Sequence, residues 1–86
     1  MKMDKVFILE VEVWGRNYVV EALFRNEKDA EEYCRNKFIE KRKNSVYTSD
    51  VKFITKKVNE KGIEYIKFDD VSIFQQSYRG YWKEIL

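Results

Sequence analysis

The chain has 86 residues, enough for one compact domain and too few for two, so we expect a single domain over residues 1–86. Its 17 basic and 15 acidic side chains leave a net charge of +2, which is too balanced to imply a polyanionic partner. The single cysteine, Cys34, excludes an internal disulfide, and the absence of histidine removes the commonest general base and metal ligand.

The first predicted elements are two strands, residues 5–13 and 17–25, because β-branched and aromatic residues alternate along both. A two-residue turn at Gly15–Arg16 joins them, since glycine suits the first central position of a type II′ turn. This register opposes Glu10 to Glu21, a mildly destabilising contact, and a shift by two residues would keep the same apolar face. The predicted apolar pairs are Val13–Tyr18, Val11–Val20, Leu9–Ala22 and Phe7–Phe24.

Residues 26–44 predict a helix. Asn26 is a good N-cap, and Asp29 stands where the acid of a capping box is found. Acidic residues crowd the first turns and basic residues the last turns, as the helix macrodipole favours. The apolar stripe of this helix consists of Ala30, Tyr33, Cys34 and Phe38.

A second hairpin is predicted from residues 50–58 and 63–70 around the turn "NEKG". Pairing Val58 with Ile63 brings oppositely charged and aromatic residues together across the strands, which supports this register. The supporting pairs are Lys57–Glu64, Lys52–Asp69 and Phe53–Phe68.

Residues 71–86 favour a fifth strand by composition, with a helix from Asp70 to Gly80 as the competitor. The elements together predict an α+β fold. We expect an antiparallel sheet of four to five strands in the order ββαββ, with a possible further β-strand, and one helix packed on one face.

Few residues could carry catalysis. Cys34 lies on the apolar stripe, which is typical of a buried structural thiol. The acidic doublet Asp69–Asp70 falls at a predicted strand end and has no further ligands at metal-binding spacing, and no glycine-rich phosphate loop is present. We therefore expect no enzyme, and we predict no catalytic residue, no metal site and no cofactor.

Charge is concentrated between residues 37 and 57, where seven basic and two acidic side chains give +5. Such a segment could contact phosphates, although helix C-termini and edge strands also favour lysine. The nucleic-acid-binding candidates are Arg16, Lys37, Lys41, Arg42, Lys43, Lys52, Lys56 and Lys57.

The stretch "SYRGYW", residues 77–82, places several residue types together that are enriched in protein-interface hot spots. Covering the end of a small core is the competing role. With the hairpin tryptophan, the protein-binding candidates are Tyr78, Arg79, Tyr81, Trp82 and Trp14.

The motif "WGR" and the helix that follows it resemble the WGR domain over about a third of the chain. The resemblance implies binding of DNA ends with Arg16 as a contact residue, although one strand precedes the motif here and the family has two. The matching positions are Trp14, Gly15, Arg16, Phe24, Ala30 and Phe38.

Residues 22–38, "ALFRNEKDAEEYCRNKF", also resemble small phage-encoded proteins in which two strands precede such a helix. Some of those are non-catalytic inhibitors of host machinery, including anti-CRISPR proteins. No apolar run is long enough for a signal peptide or a membrane span, so we expect a cytoplasmic protein of a bacterial host with no membrane partner.

The resemblance favours a non-enzymatic phage-type protein that binds and modulates or inhibits a host protein, with nucleic-acid-handling defence effectors among the candidate partners. It would dock through the aromatic C-terminal end or an open sheet edge, and such an edge could also form a homodimer. The alternative is a small nucleic-acid-binding module that uses the basic segment 37–57.

Overall fold

The computed structural model describes residues 4–15, 17–43, 53–71 and 76–85, and these form five strands and one helix. In chain order the elements are β1 (Asp4–Val13), β2 (Asn17–Phe24), α1 (Glu27–Lys43), β3 (Phe53–Glu60), β4 (Ile63–Asp70) and β5 (Ser77–Ile85). The strands make one antiparallel sheet in the order β2-β1-β5-β4-β3. The predicted α+β fold is confirmed, and the tail does contain a fifth strand, which lies in the middle of the sheet.

Helix α1 begins where the sequence predicts. The backbone N–H of Asp29 donates to Oδ1 of Asn26 at 2.8 Å, and Nδ2 of Asn26 donates back to Oδ2 of Asp29 at 3.1 Å. This reciprocal pair satisfies one of the backbone donors that the first turn of a helix leaves without a partner.

The core lies between α1 and one face of the sheet, which we call the helix face; the opposite side of the sheet is the far face. Ala30, Cys34 and Phe38 from the predicted stripe are buried, and Tyr33 packs at their margin. The sheet contributes buried residues from β1, β4 and β5 that alternate with far-face residues, as strand geometry requires. These are Phe7, Leu9, Val11, Ile66, Phe68 and Tyr78.

The centre of the core depends on the absence of a side chain at Gly80. Gly80 pairs with Leu9 across β1 and β5, and the ring of Phe7 occupies the space where a Cβ of residue 80 would lie. The Phe7 ring also meets Trp82 and Phe68 edge-on, at centroid distances of 5.2 and 6.4 Å. A glycine inside a strand is thus explained by close packing of an aromatic neighbour.

The predicted β1–β2 register is confirmed at one end of the hairpin and wrong at the other. Phe7–Phe24 and Leu9–Ala22 pair as expected, but a β-bulge follows Leu9, so that Val11 pairs with Val19 and Val13 with Asn17. Three residues therefore separate the paired positions at the turn instead of the predicted two, and Tyr18 and Val20 lie on the far face instead of the predicted apolar face. The bulge removes Glu21 from the ladder, which avoids the contact with Glu10 that the regular register would impose. Glu21 instead accepts a hydrogen bond from the Tyr33 hydroxyl at 3.0 Å.

The predicted β3–β4 register is wrong by two residues. Glu60 pairs with Ile63 across a two-residue turn in which Lys61 and Gly62 have φ of 53° and 81°, the left-handed conformations that a type I′ turn requires. A shift by two keeps every side chain on its predicted face. Lys57 and Glu64 still form an ion pair at 3.6 Å, now as diagonal neighbours.

Candidate protein-binding surface

Strand alternation divides the C-terminal aromatic segment between the two faces of the sheet. Tyr78 and Trp82 lie on the helix face, whereas Arg79 and Tyr81 lie on the far face, because β5 is an extended strand from Ser77 to Ile85. The segment therefore does not form the single aromatic cluster that its composition indicates.

The two helix-face residues serve the fold. Tyr78 is buried against Phe38 at a ring distance of 5.6 Å, and burial raises the pKa of its hydroxyl. Trp82 donates its indole N–H to Oε2 of Glu27 at 2.7 Å and packs on Phe7. Tyr78 is thus a core residue that a partner cannot reach, and Trp82 ties β5 to the start of α1.

On the far face, Arg79 connects its central strand to all four other strands. Its guanidinium carbon lies 3.9 Å from the ring centroid of Tyr18 on β2 and 4.4 Å from that of Tyr65 on β4. Its Nε donates to Glu10 on β1 at 2.7 Å, and Nη1 lies 3.6 Å from Glu60 on β3.

This far-face cluster around Arg79 has a structural role, because it links the five strands of the sheet. The Arg79 and Glu10 side chains keep only 21% and 14% of their exposure. Burial lowers the pKa of Arg79, but the hydrogen bond and the charge of Glu10 outweigh burial and the net shift is upward. Because two carboxylates and two ring faces already engage the guanidinium, we do not expect it to serve as a free anchor for a partner.

Trp14 is different, because 97% of its surface is exposed. It sits at the tip of the β1–β2 hairpin, where Gly15 has φ of 82° and the Asn17 side-chain amide donates to the Trp14 carbonyl at 3.5 Å. Full exposure of a tryptophan is unusual in a folded domain.

Exposed aliphatic residues continue from Trp14 along the strand that follows. Val20 and Leu23 on β2 are each 61% exposed. Val13 and Val19 lie on the helix face of the β2 edge, and Val20 and Leu23 lie on its far face. We define the hairpin patch, which extends around this edge, as the five exposed apolar residues Val13, Trp14, Val19, Val20 and Leu23. Sequence reasoning named only Trp14 of this set, although β2 gave a signal, since Glu21 is its only charged residue.

The two edge strands of the sheet differ. Edge strand β3 carries Lys56 and Lys57 at its centre, and inward or central lysines are a common protection against unwanted strand pairing. Edge strand β2 has no lysine, arginine or proline between Asn17 and Phe24. Its edge is protected only by the bulge at Glu21.

The described part of the basic segment is spread over separate surfaces. Lys37 lies 5.5 Å from the ring of Tyr33, and Lys41 donates to Gln76 at 3.3 Å, both on the helix side. Lys57 is paired with Glu64 on the helix face of β3, whereas Lys56 pairs across the far face with Lys67. Arg16, Lys52 and the side chains of Arg42 and Lys43 lie outside the described residues.

A cleft of about 400 Å³ lies between the start of α1 and the β3–β4 hairpin, with Phe7, Ile66 and Trp82 among its lining residues. Its two carboxylates, Glu27 and Glu64, already bind the Trp82 indole and Lys57. Nothing in this lining resembles an activated nucleophile.

Cys34 is buried, and burial followed by the charges of Glu21 and Glu31 raises the pKa of its thiol, which keeps it protonated. Within residues 4–15, 17–43, 53–71 and 76–85, no group of three or more potential ligands could hold a metal ion. In the same ranges, no helix is long and apolar enough to cross a membrane.

No family model, curated protein sequence or solved structure matches the chain. The resemblances to the WGR domain and to small phage proteins therefore stay predictions, and so does DNA-end binding through Arg16.

Proposed function

We propose that this chain works by binding another protein, without catalysing a reaction, and that the hairpin patch is its contact surface. The observation that carries the proposal is Trp14, 97% exposed at the hairpin turn, beside an edge strand with exposed Val19 and Val20. Burying one tryptophan removes about 150–250 Å² from water, worth roughly 4–6 kcal/mol at about 25 cal/mol per Å². Tryptophan is also among the residues most enriched in interface hot spots.

The partner class follows from the phage-type resemblance of residues 22–38. Within the proposal, the partner is a host protein in a bacterial cytoplasm, and occupation of its surface modulates or inhibits it. Nucleic-acid-handling defence effectors are the first partners to test, as for anti-CRISPR proteins.

The test is affinity capture from a bacterial host lysate with three baits: the wild type, Trp14→Ala and Ile63→Ala. Ile63 is the matched control because it is an exposed apolar residue beside the turn at the opposite end of the sheet. We expect one stoichiometric protein with the wild type and with Ile63→Ala. Truncation of a hot-spot tryptophan costs about 2 kcal/mol or more, so Trp14→Ala should reduce capture by at least about tenfold.

Circular dichroism should show the same thermal midpoint for all three baits, since Trp14 supports no part of the core. A wild-type bait that is folded but captures no stoichiometric protein would contradict the proposal. So would a partner that binds Trp14→Ala as well as it binds the wild type.

The nucleic-acid-binding alternative is separated by a gel shift with single- and double-stranded oligonucleotides at low and moderate salt. Lys56 and Lys67 are the described basic residues to change, because they face each other across β3 and β4 as an unfavourable like-charge pair. Salt-sensitive retardation that Lys56→Glu removes and Trp14→Ala leaves intact would favour the alternative. Absence of retardation at low salt would exclude it.

A further inference from the structure

The β2 edge itself indicates how a partner would bind. We propose that the partner contributes an extended segment with alternating apolar and basic residues, which pairs with Asn17–Val20 of β2 as a sixth strand. This inference rests on the proposed function and specifies the binding mode of the same surface.

The first argument is the contrast between the two edges. An edge strand presents unpaired backbone N–H and C=O groups, and natural sheets protect such edges with lysine, proline or bulges. Edge strand β3 has Lys56 and Lys57. Edge strand β2 has neither lysine nor proline, and it exposes Val19 on one side of the strand and Val20 on the other. When a partner adds a strand, backbone hydrogen bonds join the two strands, and exposed apolar side chains such as these contact alternate side chains of the added strand.

The second argument sets the length of the added strand. The bulge at Glu21 interrupts the ladder, so a regular pairing edge runs from Asn17 to Val20 and stops there. Four residues span about 13 Å of strand. This short edge starts at the turn that carries Trp14. One segment of the partner can therefore pair with the β2 backbone while partner residues next to that segment contact the indole.

The third argument is charge. Glu12 lies opposite Tyr18, and Glu21 follows Val20, so that carboxylates flank the exposed valines on both sides. On the far face Glu10 is already paired with Arg79, which leaves Glu12 as the carboxylate nearest this edge among the described residues of β1 and β2. Lysine or arginine in the partner strand would complement this edge.

A second copy of this chain fits the edge less well. Antiparallel pairing of β2 with β2 about a two-fold axis would place Glu21 of the two copies at opposite ends of the paired stretch, and no residue of Asn17–Val20 would bring a basic side chain to the carboxylates of the other copy. Self-association is therefore an outcome that the test must be able to detect.

The test uses a defined probe, a synthetic peptide of alternating Lys and Val, with a Glu–Val peptide of the same length as its charge control. Isotope-labelled protein is titrated with each peptide, and backbone amide exchange is followed by NMR. We expect the Lys–Val peptide to slow exchange at Asn17–Val20 and to bind at least about tenfold tighter than the Glu–Val peptide.

A pair of matched variants distinguishes peptide binding at the β2 edge from binding at the β3 edge. Val20→Lys adds a lysine to the β2 edge and should weaken binding of the Lys–Val peptide at least about tenfold. Ile54→Lys makes the same change on the far face of the β3 edge, where Ile54 is also exposed, and should leave binding unchanged. Equal binding of the two peptides, protection on β3, or no protection at Asn17–Val20 would overturn the inference.

Light scattering after gel filtration tests whether a second copy of the chain occupies the β2 edge. A concentration-dependent dimer that Val20→Lys dissociates would assign the edge to a second copy and overturn the partner strand. The captured complex separates this inference from the proposed function. If capture depends on Trp14 but the Asn17–Val20 amides exchange as in the free protein, protein binding stands and strand addition is wrong.

Discussion

The packing of Phe7 over Gly80 leads to a stability prediction for Gly80→Ala. A Cβ at residue 80 would lie under 3.0 Å from Cε2 and Cζ of the Phe7 ring and 3.2 Å from its Cδ2. The ring has no exposed surface and is held between Trp82 and Phe68. It cannot move aside without disturbing two further aromatic contacts.

The expected cost follows from these contacts. Overpacking a well-packed core costs about 1–3 kcal/mol, and loss of a buried phenylalanine from its site costs about 3–5 kcal/mol. The gain from replacing glycine with alanine in the unfolded chain is only about 0.4–1 kcal/mol. We therefore expect Gly80→Ala to lower the free energy of unfolding by about 2–3 kcal/mol, which is a fall in Tm of roughly 10–20 °C for a domain of this size.

Urea unfolding followed by circular dichroism measures this loss. Gly62→Ala is the control, because a side chain at residue 62 would strain the backbone without a steric clash: φ of Gly62 is 81°, and nothing lies within 4 Å of its Cβ position. It should cost about 1–2 kcal/mol through backbone strain alone. The double variant Gly80→Ala/Phe7→Leu should lose at least about 1 kcal/mol less free energy of unfolding than the two single variants lose together. The losses of Gly62→Ala and Phe7→Leu should simply add. A Gly80→Ala protein within about 0.5 kcal/mol of the wild type would refute the packing argument.

Two further predictions concern the far face and the tyrosines. Arg79→Met should destabilise the protein by about 3 kcal/mol, because it leaves the Glu10 carboxylate, whose side chain is only 14% exposed, without its partner. Lys57→Met, which breaks an exposed pair, should cost about 0–1 kcal/mol in the same urea titration. Equal losses of stability in the two variants would contradict the structural role of the Arg79 cluster. Burial raises the pKa of the Cys34 thiol above 9.0 and that of three tyrosine hydroxyls above 10.0, so the folded state holds these protons more tightly. Stability should therefore fall as the pH rises above about 9, and less steeply in Tyr78→Phe, which removes one of the three tyrosines. These are Tyr33, Tyr78 and Tyr81. An unfolding midpoint that is constant between about pH 9 and pH 11.5 would contradict this reasoning.

The sequence predicted α1 and the faces of β1, β3, β4 and the second half of β2 because those features are local; in the first half of β2 the bulge reverses the predicted faces of Tyr18, Val19 and Val20. The cap at Asn26 satisfies backbone groups within three residues of it, and the alternation of apolar residues repeats every two residues along a strand. For the same reason the buried position of Cys34 could be predicted from its place on the apolar stripe.

The strand registers were only partly predictable. A shift of two residues in β3–β4 keeps all side chains on the same faces, so the hydrophobic pattern cannot distinguish Val58–Ile63 from the observed Glu60–Ile63 pair. The bulge at Glu21 is an irregularity whose benefit, relief of the Glu10 contact and a bond to Tyr33, involves another strand and the helix.

The candidate site was decided by the tertiary structure. The stretch "SYRGYW" contains the right residue types for an interface, but the central position of β5 buries Tyr78 and surrounds Arg79 with groups from four strands. Strand order depends on contacts between residues far apart in the chain, which a local pattern does not encode. By itself the sequence determined which residues alternate, where the helix begins and that a turn at Gly15 joins the first two strands. Only the assembled sheet made β2 an edge, left Val19 and Val20 exposed beside Trp14, and thereby placed the candidate surface on the first hairpin.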